Sequence, residues 1–215
     1  MRKCLIVGAS NLYSYQPVPQ RDTFVIGVDG GYRTLQKLGI EADQIVGDFD
    51  SMEISEDEMK AIKDKTIVLN KEKDDTDTLF ALRVGLKKGY DEFHLFGCTG
   101  GRVSHSFANI QCLAFLAEKN ARNYLYGRDY IMTCISNGSI EFDESYKGYI
   151  SVFSHSDTAK NVRIDGLKYE LKDAELNNRY PIGVSNEFIG KKSKISVGEG
   201  VLTIVYPKKK RRIEI

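Results

Sequence analysis

Glu92-Phe93-His94-Leu95-Phe96-Gly97-Cys98-Thr99-Gly100-Gly101-Arg102, running on into VSHSFANIQCLAFLAEK at Val103–Lys119, is the stretch that decides the fold. Glu92–Phe96 has the length and apolar content of a buried strand. Phe107, Ile110, Leu113, Ala114 and Ala117 then recur at helical spacing over Ser104–Lys119. Between them lies a turn of glycine and small residues. The same alternation fills the rest of the first half. Strands are expected at Lys3–Gly8, Phe24–Val28, Gln44–Val46, Thr66–Leu69 and Asn123–Tyr126, and helices near Tyr32–Leu38, Ser55–Ile62 and Thr76–Lys88. Asp75 or Thr76 can cap the third of these helices and Gly89 can end it. Strands alternating with helices predict crossover units and a mostly parallel sheet.

The pattern changes near Ile135. Short alternating runs follow at Ser139–Phe142, Tyr149–Phe153, Lys194–Val197 and Val201–Tyr206, separated by Asn137-Gly138, Lys147-Gly148, Asp165-Gly166 and Glu199-Gly200. Helical periodicity nearly disappears. The expected architecture is an α/β domain over residues 1–133 with a mostly parallel sheet, then an all-β sandwich or barrel over 134–215.

Composition narrows the class. Lys and Arg number 31 against 30 Asp and Glu, a net charge of +1, so nothing requires nucleic acid or a membrane as partner. No apolar run approaches the roughly 18–20 residues of a membrane span. Cys4, Cys98, Cys112 and Cys134 have no paired spacing and sit in apolar stretches. That suits buried thiols in a reducing compartment, so the cytoplasm is expected. The basic run Lys208–Arg212 reads as the solvated end of the last strand.

Four successive strands end in acidic or glycine-rich loops: Asp29-Gly30-Gly31, Gly47-Asp48-Phe49-Asp50-Ser51, Asn70-Lys71-Glu72-Lys73-Asp74-Asp75-Thr76-Asp77, and the glycine turn at Gly97–Arg102. In an open parallel sheet, ligands bind beyond the carboxyl ends of the strands, so these loops are expected to share one rim. Asp48 and Asp50 are two residues apart in extended chain, which points both carboxylates the same way. A hard divalent cation relieves their repulsion, and Mg²⁺ takes one or two carboxylates together with phosphate oxygens and water. Among the acids opening the third helix some satisfy its free N–H groups, leaving Asp77 by preference for metal or nucleotide. Gly100 and Gly101 expose backbone N–H groups at a helix start, and Arg102 adds a planar fork matched to phosphate oxygens. The Gly-Lys-Ser/Thr ending of a P-loop is missing, as are zinc spacing and any Ser/His/Asp or Cys/His set for covalent chemistry.

In order, Asp29-Gly30-Gly31, Gly47-Asp48-Phe49-Asp50-Ser51, Asp74-Asp75-Thr76-Asp77-Thr78, Gly100-Gly101-Arg102-x-x-His105-x-x-x-Asn109, Asp165-Gly166-Leu167-Lys168-Tyr169-x-Leu171 and Gly183-Val184-Ser185-Asn186-Glu187 resemble the thiamine pyrophosphokinase family over nearly the whole chain. The resemblance implies an enzyme moving pyrophosphate from ATP to the thiamine hydroxyl, with Mg²⁺ as cofactor and a homodimer whose sites are shared between chains. It implies that Asp48, Asp50 and Asp77 hold the metal, with Asp29 in support. Lys73, Thr76 and Arg102 would hold phosphates beside Gly30, Gly31, Gly100 and Gly101. His105 and Asn109 would shape the site, and Ser185 and Asn186 would face thiamine. The family commonly has Asp before this histidine, whereas this chain has Ser104, which brings no charge. With no Trp in the chain, Tyr169 or Phe188 would stack on thiamine. The other readings of the residues are a nucleotide sensor without turnover and a magnesium-dependent phosphohydrolase. A hydrolase with an aspartyl nucleophile carries Asp-x-Asp after its first strand, where this chain has Gly8-Ala9-Ser10-Asn11.

Overall fold

The computed structural model describes residues 1–47, 55–69 and 74–215. They form two compact units: 1–112 with 125–128 and 212–215, and 113–124 with 129–211. The chain therefore changes unit more than once. The division at 133/134 expected from sequence falls inside a continuous strand, Tyr130–Ser136.

The first unit carries β1 (Lys3–Val7), a short β2 (Gln16–Val18), β3 (Phe24–Val28), β4 (Gln44–Gly47), β5 (Thr66–Val68) and β6 (Glu92–Phe96). Its helices are α1 (Gly31–Leu38), α2 (Glu56–Ile62), α3 (Asp77–Lys87) and the start of α4 (Val103–Glu118). β6, β1, β3, β4 and β5 pair in that order, all parallel, with Leu5 beside Val25 on one side and His94 on the other. Leu5, Ile6, Ile26, Phe93, Leu95 and Phe96 are fully buried, as expected of a parallel sheet covered on both faces. Gly85 lets α3 approach closely, since a Cβ there would stand 2.6 Å from the Phe93 ring. Thr76 caps α3 by accepting a hydrogen bond from the Leu79 N–H at 3.2 Å, and the chain turns away at Gly89, with φ +81°. Both ends are those read from the sequence.

His94 is part of this core. Its Nδ1 lies 2.8 Å from the Tyr126 hydroxyl and its Nε2 lies 3.0 Å from Glu92, all three side chains being buried. Tyr126 closes β7 (Arg122–Tyr126) and stacks on Phe96 at 4.0 Å between centroids.

The second unit holds β8 (Tyr130–Ser136), β9 (Ser139–Phe142), β10 (Lys147–Ser154), β11 (Thr158–Asp165), β12 (Leu171–Asn177), β13 (Asn186–Ile189), β14 (Ser193–Ser196) and β15 (Val201–Pro207). Two antiparallel sheets result, β13-β10-β15-β8 and β12-β11-β14-β9. Phe142 of one sheet meets Phe188 at 5.3 Å and Tyr206 at 5.0 Å on the other, so the unit is a sandwich. β11 and β12 escaped the sequence reading because their pairing shifts register between Ala159 and Val162 and between Val162 and Ile164. Asn161 and Asp173 sit there at positive φ, and these irregularities break the two-residue alternation that identifies strands.

The basic run is solvated as expected, with Lys209–Arg212 exposed, but it does not end the last strand. The chain does not end in solvent after β15. It forms β16 (Arg212–Glu214), which runs parallel to β2 with Arg212 opposite Gln16. Ile215 is fully buried, its carbonyl accepting from the Thr23 hydroxyl at 2.7 Å and the Gln20 N–H at 2.8 Å. A charge count alone could not foresee this, because the anchor, Ile215, is an apolar residue beyond the run. Ile215→Ala should remove about 2–5 kcal/mol of buried packing. At about 2–4 °C per kcal/mol for a chain of this size, calorimetry should record a Tm lower by several degrees. An unchanged Tm would mean that the returning strand contributes nothing.

Candidate functional site

Strand order locates the site. From β1 the chain moves to one side through β3, β4 and β5, then crosses to the other side of β1 as β6. The loops leaving β1 and β6 therefore diverge at a topological switch point, where open α/β sheets place their ligands. The Gly8 N–H donates to the Phe96 carbonyl at 2.8 Å and the Ser10 N–H to the Gly97 carbonyl at 2.9 Å, so these loops stay joined beyond the sheet. A cleft of about 410 Å³ opens beside them. Gly8, Ala9 and Ser10 line it with Asp29, Gly30, Thr78, Gly97, Cys98, Thr99, Gly101, Arg102, His105 and Asn109.

Asp29 ends β3 at φ +48°, a left-handed conformation uncommon outside glycine. Its N–H donates to the Val46 carbonyl at 2.9 Å, which ties it to β4. Its Oδ1 lies over Gly47, so close that a Cβ on Gly47 would collide with it. The carboxylate thus lies beside the residue from which Asp48-Phe49-Asp50 continues in sequence. Asp48, Asp50 and Lys73 lie outside the described residues. Gly31 begins α1 so close to β1 that a Cβ would strike the Val7 carbonyl. Asp77 and Thr78 open α3, while Asp75 is engaged by Arg83. Thr76 is exposed, and its oxygen already caps the helix.

Across the cleft, the turn after β6 passes through Gly97 at φ +62° and Gly100 at φ +87°. Asn109 is buried and donates to the Cys98 carbonyl at 2.7 Å, which pins the turn to α4. Arg102 and His105 are exposed, as is Ser104 in the first turn of α4. Among the described residues, no three His, Cys, Asp or Glu side chains gather as a metal cage.

The cleft thus brings together Asp29, Gly30, Gly101, Arg102, His105 and Asn109. Sequence reasoning missed Gly8, Ala9, Ser10 and Thr78. The signal for the first three was the loop after β1, which becomes meaningful only when β6 is known to lie beside β1. Ser185 and Asn186 belong to the second unit. Ser185 is exposed at φ +60°, and its N–H donates to the Ser151 hydroxyl at 3.1 Å. Asn186 is buried. Its Oδ1 accepts from the Tyr169 N–H at 3.0 Å and its Nδ2 donates to the Tyr169 carbonyl at 2.7 Å. Lys168 reinforces the junction with an ion pair to Glu187 at 2.8 Å. The two C-terminal motifs are therefore latched together. Phe188 is packed in the sandwich core, whereas Tyr169 is 61% exposed.

Residues 15–125 match the family model of the thiamin pyrophosphokinase catalytic domain, and residues 138–202 that of the thiamin pyrophosphokinase vitamin B1 binding domain. The thiamine pyrophosphokinase of Bacillus subtilis (strain 168) is 34% identical over 188 residues, 85% of this chain and 86% of that one. The crystal structure of thiamine pyrophosphokinase from Bacillus subtilis superposes with a TM-score of 0.81 at 29% identity, covering 97% of this chain and 100% of that one. The thiamin pyrophosphokinase of Geobacillus thermodenitrificans gives 0.77 at 29% identity, over 96% and 97% of the two chains. The yeast thiamin pyrophosphokinase, at 16% identity and a TM-score of 0.70 over 96% of this chain and 86% of its own, shares the fold.

Cys98 lies in this cleft, yet burial pushes its thiol up to about 12. Burial also raises Cys112 to about 11 and Cys134 to about 12, and raises Cys4 further. At pH 8 the Cys98 thiolate is then about one part in ten thousand. Native protein treated with iodoacetamide at pH 8 should keep its thiols unlabelled, and urea-unfolded protein should take up four labels by mass spectrometry. Rapid labelling of Cys98 in the native state would reopen covalent chemistry.

Proposed function

The chain belongs to the thiamin pyrophosphokinase family, and from that premise we propose that it transfers the pyrophosphoryl group of ATP to the hydroxyl of thiamine, at the cleft of its first unit. The products are thiamine diphosphate and AMP. The observation that carries this reading is Asp29, held on Gly47 at the head of the Asp48-Phe49-Asp50 loop while sharing one cleft with the glycine turn and Arg102. The Asp29 carboxylate on one wall and a glycine turn with a guanidinium on the other suit a metal-bound polyphosphate lying between them. A phosphohydrolase with an aspartyl nucleophile has no support, since β1 ends in Gly8-Ala9-Ser10-Asn11.

Hard oxygen donors are what Mg²⁺ requires, and the fixed Asp29 carboxylate beside the start of the Asp48–Asp50 loop fits it. Asp48, Asp50 and Asp77 would hold the ion, with Asp29 in support. When bound, it neutralises charge on the terminal phosphates. The chain itself positions the reactants. Gly100 and Gly101 let the turn's N–H groups approach phosphate oxygens, with Gly30 and Gly31 admitting the backbone from the β3 side. Lys73, Thr76 and Arg102 bind the remaining oxygens, and His105 and Asn109 shape the wall along α4. The thiamine oxygen bonds to the β-phosphorus as the bond to the AMP oxygen breaks, so Arg102 faces charge that redistributes during the step.

The region 1–133 is assigned to nucleotide and metal, and 134–215 to thiamine. Ser185 faces that substrate, and Asn186 acts through the loop it latches. Tyr169 is the exposed aromatic available for stacking on the thiamine ring, a role closed to the packed Phe188. Four buried, unpaired cysteines suit a reducing cytoplasm.

Asp48→Asn and Asp50→Asn should each lower turnover by at least about a hundredfold, because a lost ligand carries several kcal/mol of transition-state stabilisation. Product formation followed by mass spectrometry tests this. Both variants within a few-fold of wild type would remove the metal site from the reading.

The working unit is proposed to be a homodimer with each site completed by both chains. Asp48→Asn and Tyr169→Ala, refolded together and assayed at a thiamine concentration too low for either alone, should regain about a quarter of wild-type sites. A mixture as inactive as its parents, with mixed dimers present by native mass spectrometry, rules sharing out.

A further inference from the structure

Tyr13 is absent from every motif discussed so far, yet it presses on the turn that the proposed function assigns to phosphate. It lies in the loop after β1, beyond Gly8, Ala9 and Ser10 on the cleft wall. Its hydroxyl donates to the Thr99 carbonyl at 3.4 Å and sits over the α-carbon of Gly100, so that a Cβ on Gly100 would collide with it. The other side of the ring is covered by Arg128, whose guanidinium carbon is 5.6 Å from its centroid. The side chain is therefore packed between Arg128, just beyond β7, and Gly100 of the turn.

The loop takes an unfavourable path to put it there. Tyr13 and Ser14 are consecutive non-glycine residues at positive φ, +50° and +66°. Such backbone persists only where its surroundings fix it. Three contacts do so here. Asn11 Oδ1 accepts from the Tyr13 N–H at 2.6 Å, the Tyr15 N–H donates to the Leu12 carbonyl at 3.0 Å, and the buried Tyr15 ring sets its edge against Phe96 and Tyr126. The turn is then fastened along its length: Gly97 by Ser10, Cys98 by Asn109, and Thr99 with Gly100 by Tyr13. The last fastening reaches Gly100, and the Ser10 side chain lies against Gly101, the residue before Arg102.

We propose that Tyr13 is a positioning residue for the nucleotide phosphates, its side chain setting the path of Thr99 and Gly100 and hence the aim of the turn's N–H groups and the starting point of Arg102. The claim rests on the reading of this cleft as the nucleotide site. The hydroxyl oxygen is the atom nearest Gly100, with the ring edge directly behind it, so the two act together.

The test separates nucleotide from thiamine, which a purely structural role would not do. Tyr13→Ala should raise KM for ATP about tenfold and leave KM for thiamine within about twofold. Tyr13→Phe, which keeps the ring and loses the atom nearest Gly100, should give a KM for ATP between those of Tyr13→Ala and wild type. Calorimetric titration of Mg-ATP into wild type and both variants should show the same order without any turnover. Should Tyr13→Ala fail to fold, Tyr13→Leu is titrated in its place. Equal changes in both KM values, or unchanged Mg-ATP affinity on losing the ring, overturn the proposal. A wild-type protein that binds Mg-ATP and makes no thiamine diphosphate refutes the pyrophosphokinase reading alone, and the titrations still decide the role of Tyr13. A wild-type protein that binds no Mg-ATP overturns both.

Discussion

Two glycines meet where β1 and β6 end, and the site depends on neither having a side chain. A Cβ on Gly8 would stand 2.6 Å from the Gly97 carbonyl oxygen, and one on Gly97 would stand 2.5 Å from that of Gly8. No Cβ fits at such distances without moving backbone. Their absence lets the two loops remain hydrogen-bonded after the sheet has ended, through Gly8 to Phe96 and Ser10 to Gly97. The floor of the cleft is therefore backbone, whose N–H and carbonyl groups have fixed directions. A floor of flexible side chains would have to lose conformational freedom each time a ligand bound.

That floor separates two chemically opposite walls. Asp29 on one side is kept by Val46 and Gly47 in a backbone conformation costing about 1–3 kcal/mol. On the other, the glycine turn presents no acid between Gly97 and Arg102. On the proposed reading, the nucleotide phosphates lie between these walls, metal on the acidic side and N–H donors opposite. This division keeps the carboxylates from repelling the phosphates directly, since the cation stands between them. It also explains the placement of Asp29 at the end of β3 and Asp77 at the start of α3, with Arg102 on the far side of β1.

The parallel order of strands and helices was legible because buried strands and amphipathic helices leave different periods, and β3 and β6 emerge with the bounds expected of them. The caps of α3 were legible for a related reason, since Thr76 and Gly89 act through local backbone geometry. Long-range facts were not. Nothing near Ser10 states that β6 will lie beside β1, and nothing in Lys208–Arg212 states that the chain beyond it returns to β2. β11 and β12 were lost to their register shifts, where polar residues at positive φ disturb the alternation.

The site was half legible for a subtler reason, shown by Asn109 and Asn186. Both are polar residues inside motifs, and the family resemblance placed Asn109 in the wall of the site and Asn186 facing thiamine. In the fold both are buried, and their amides are spent on backbone: Asn109 on the Cys98 carbonyl, Asn186 on both polar groups of Tyr169. A buried amide that lost such partners would cost about 1–3 kcal/mol, so these positions are as constrained as any ligand contact. Motif residues therefore include those that hold the loop as well as those the loop presents. Asn109 on α4 holds the turn that leads into Arg102, and Asn186 belongs to the junction that leaves the Tyr169 ring exposed. Sequence spacing cannot separate the two kinds, because each is fixed by the same geometry; only the hydrogen-bond partner tells which end of the interaction a residue occupies.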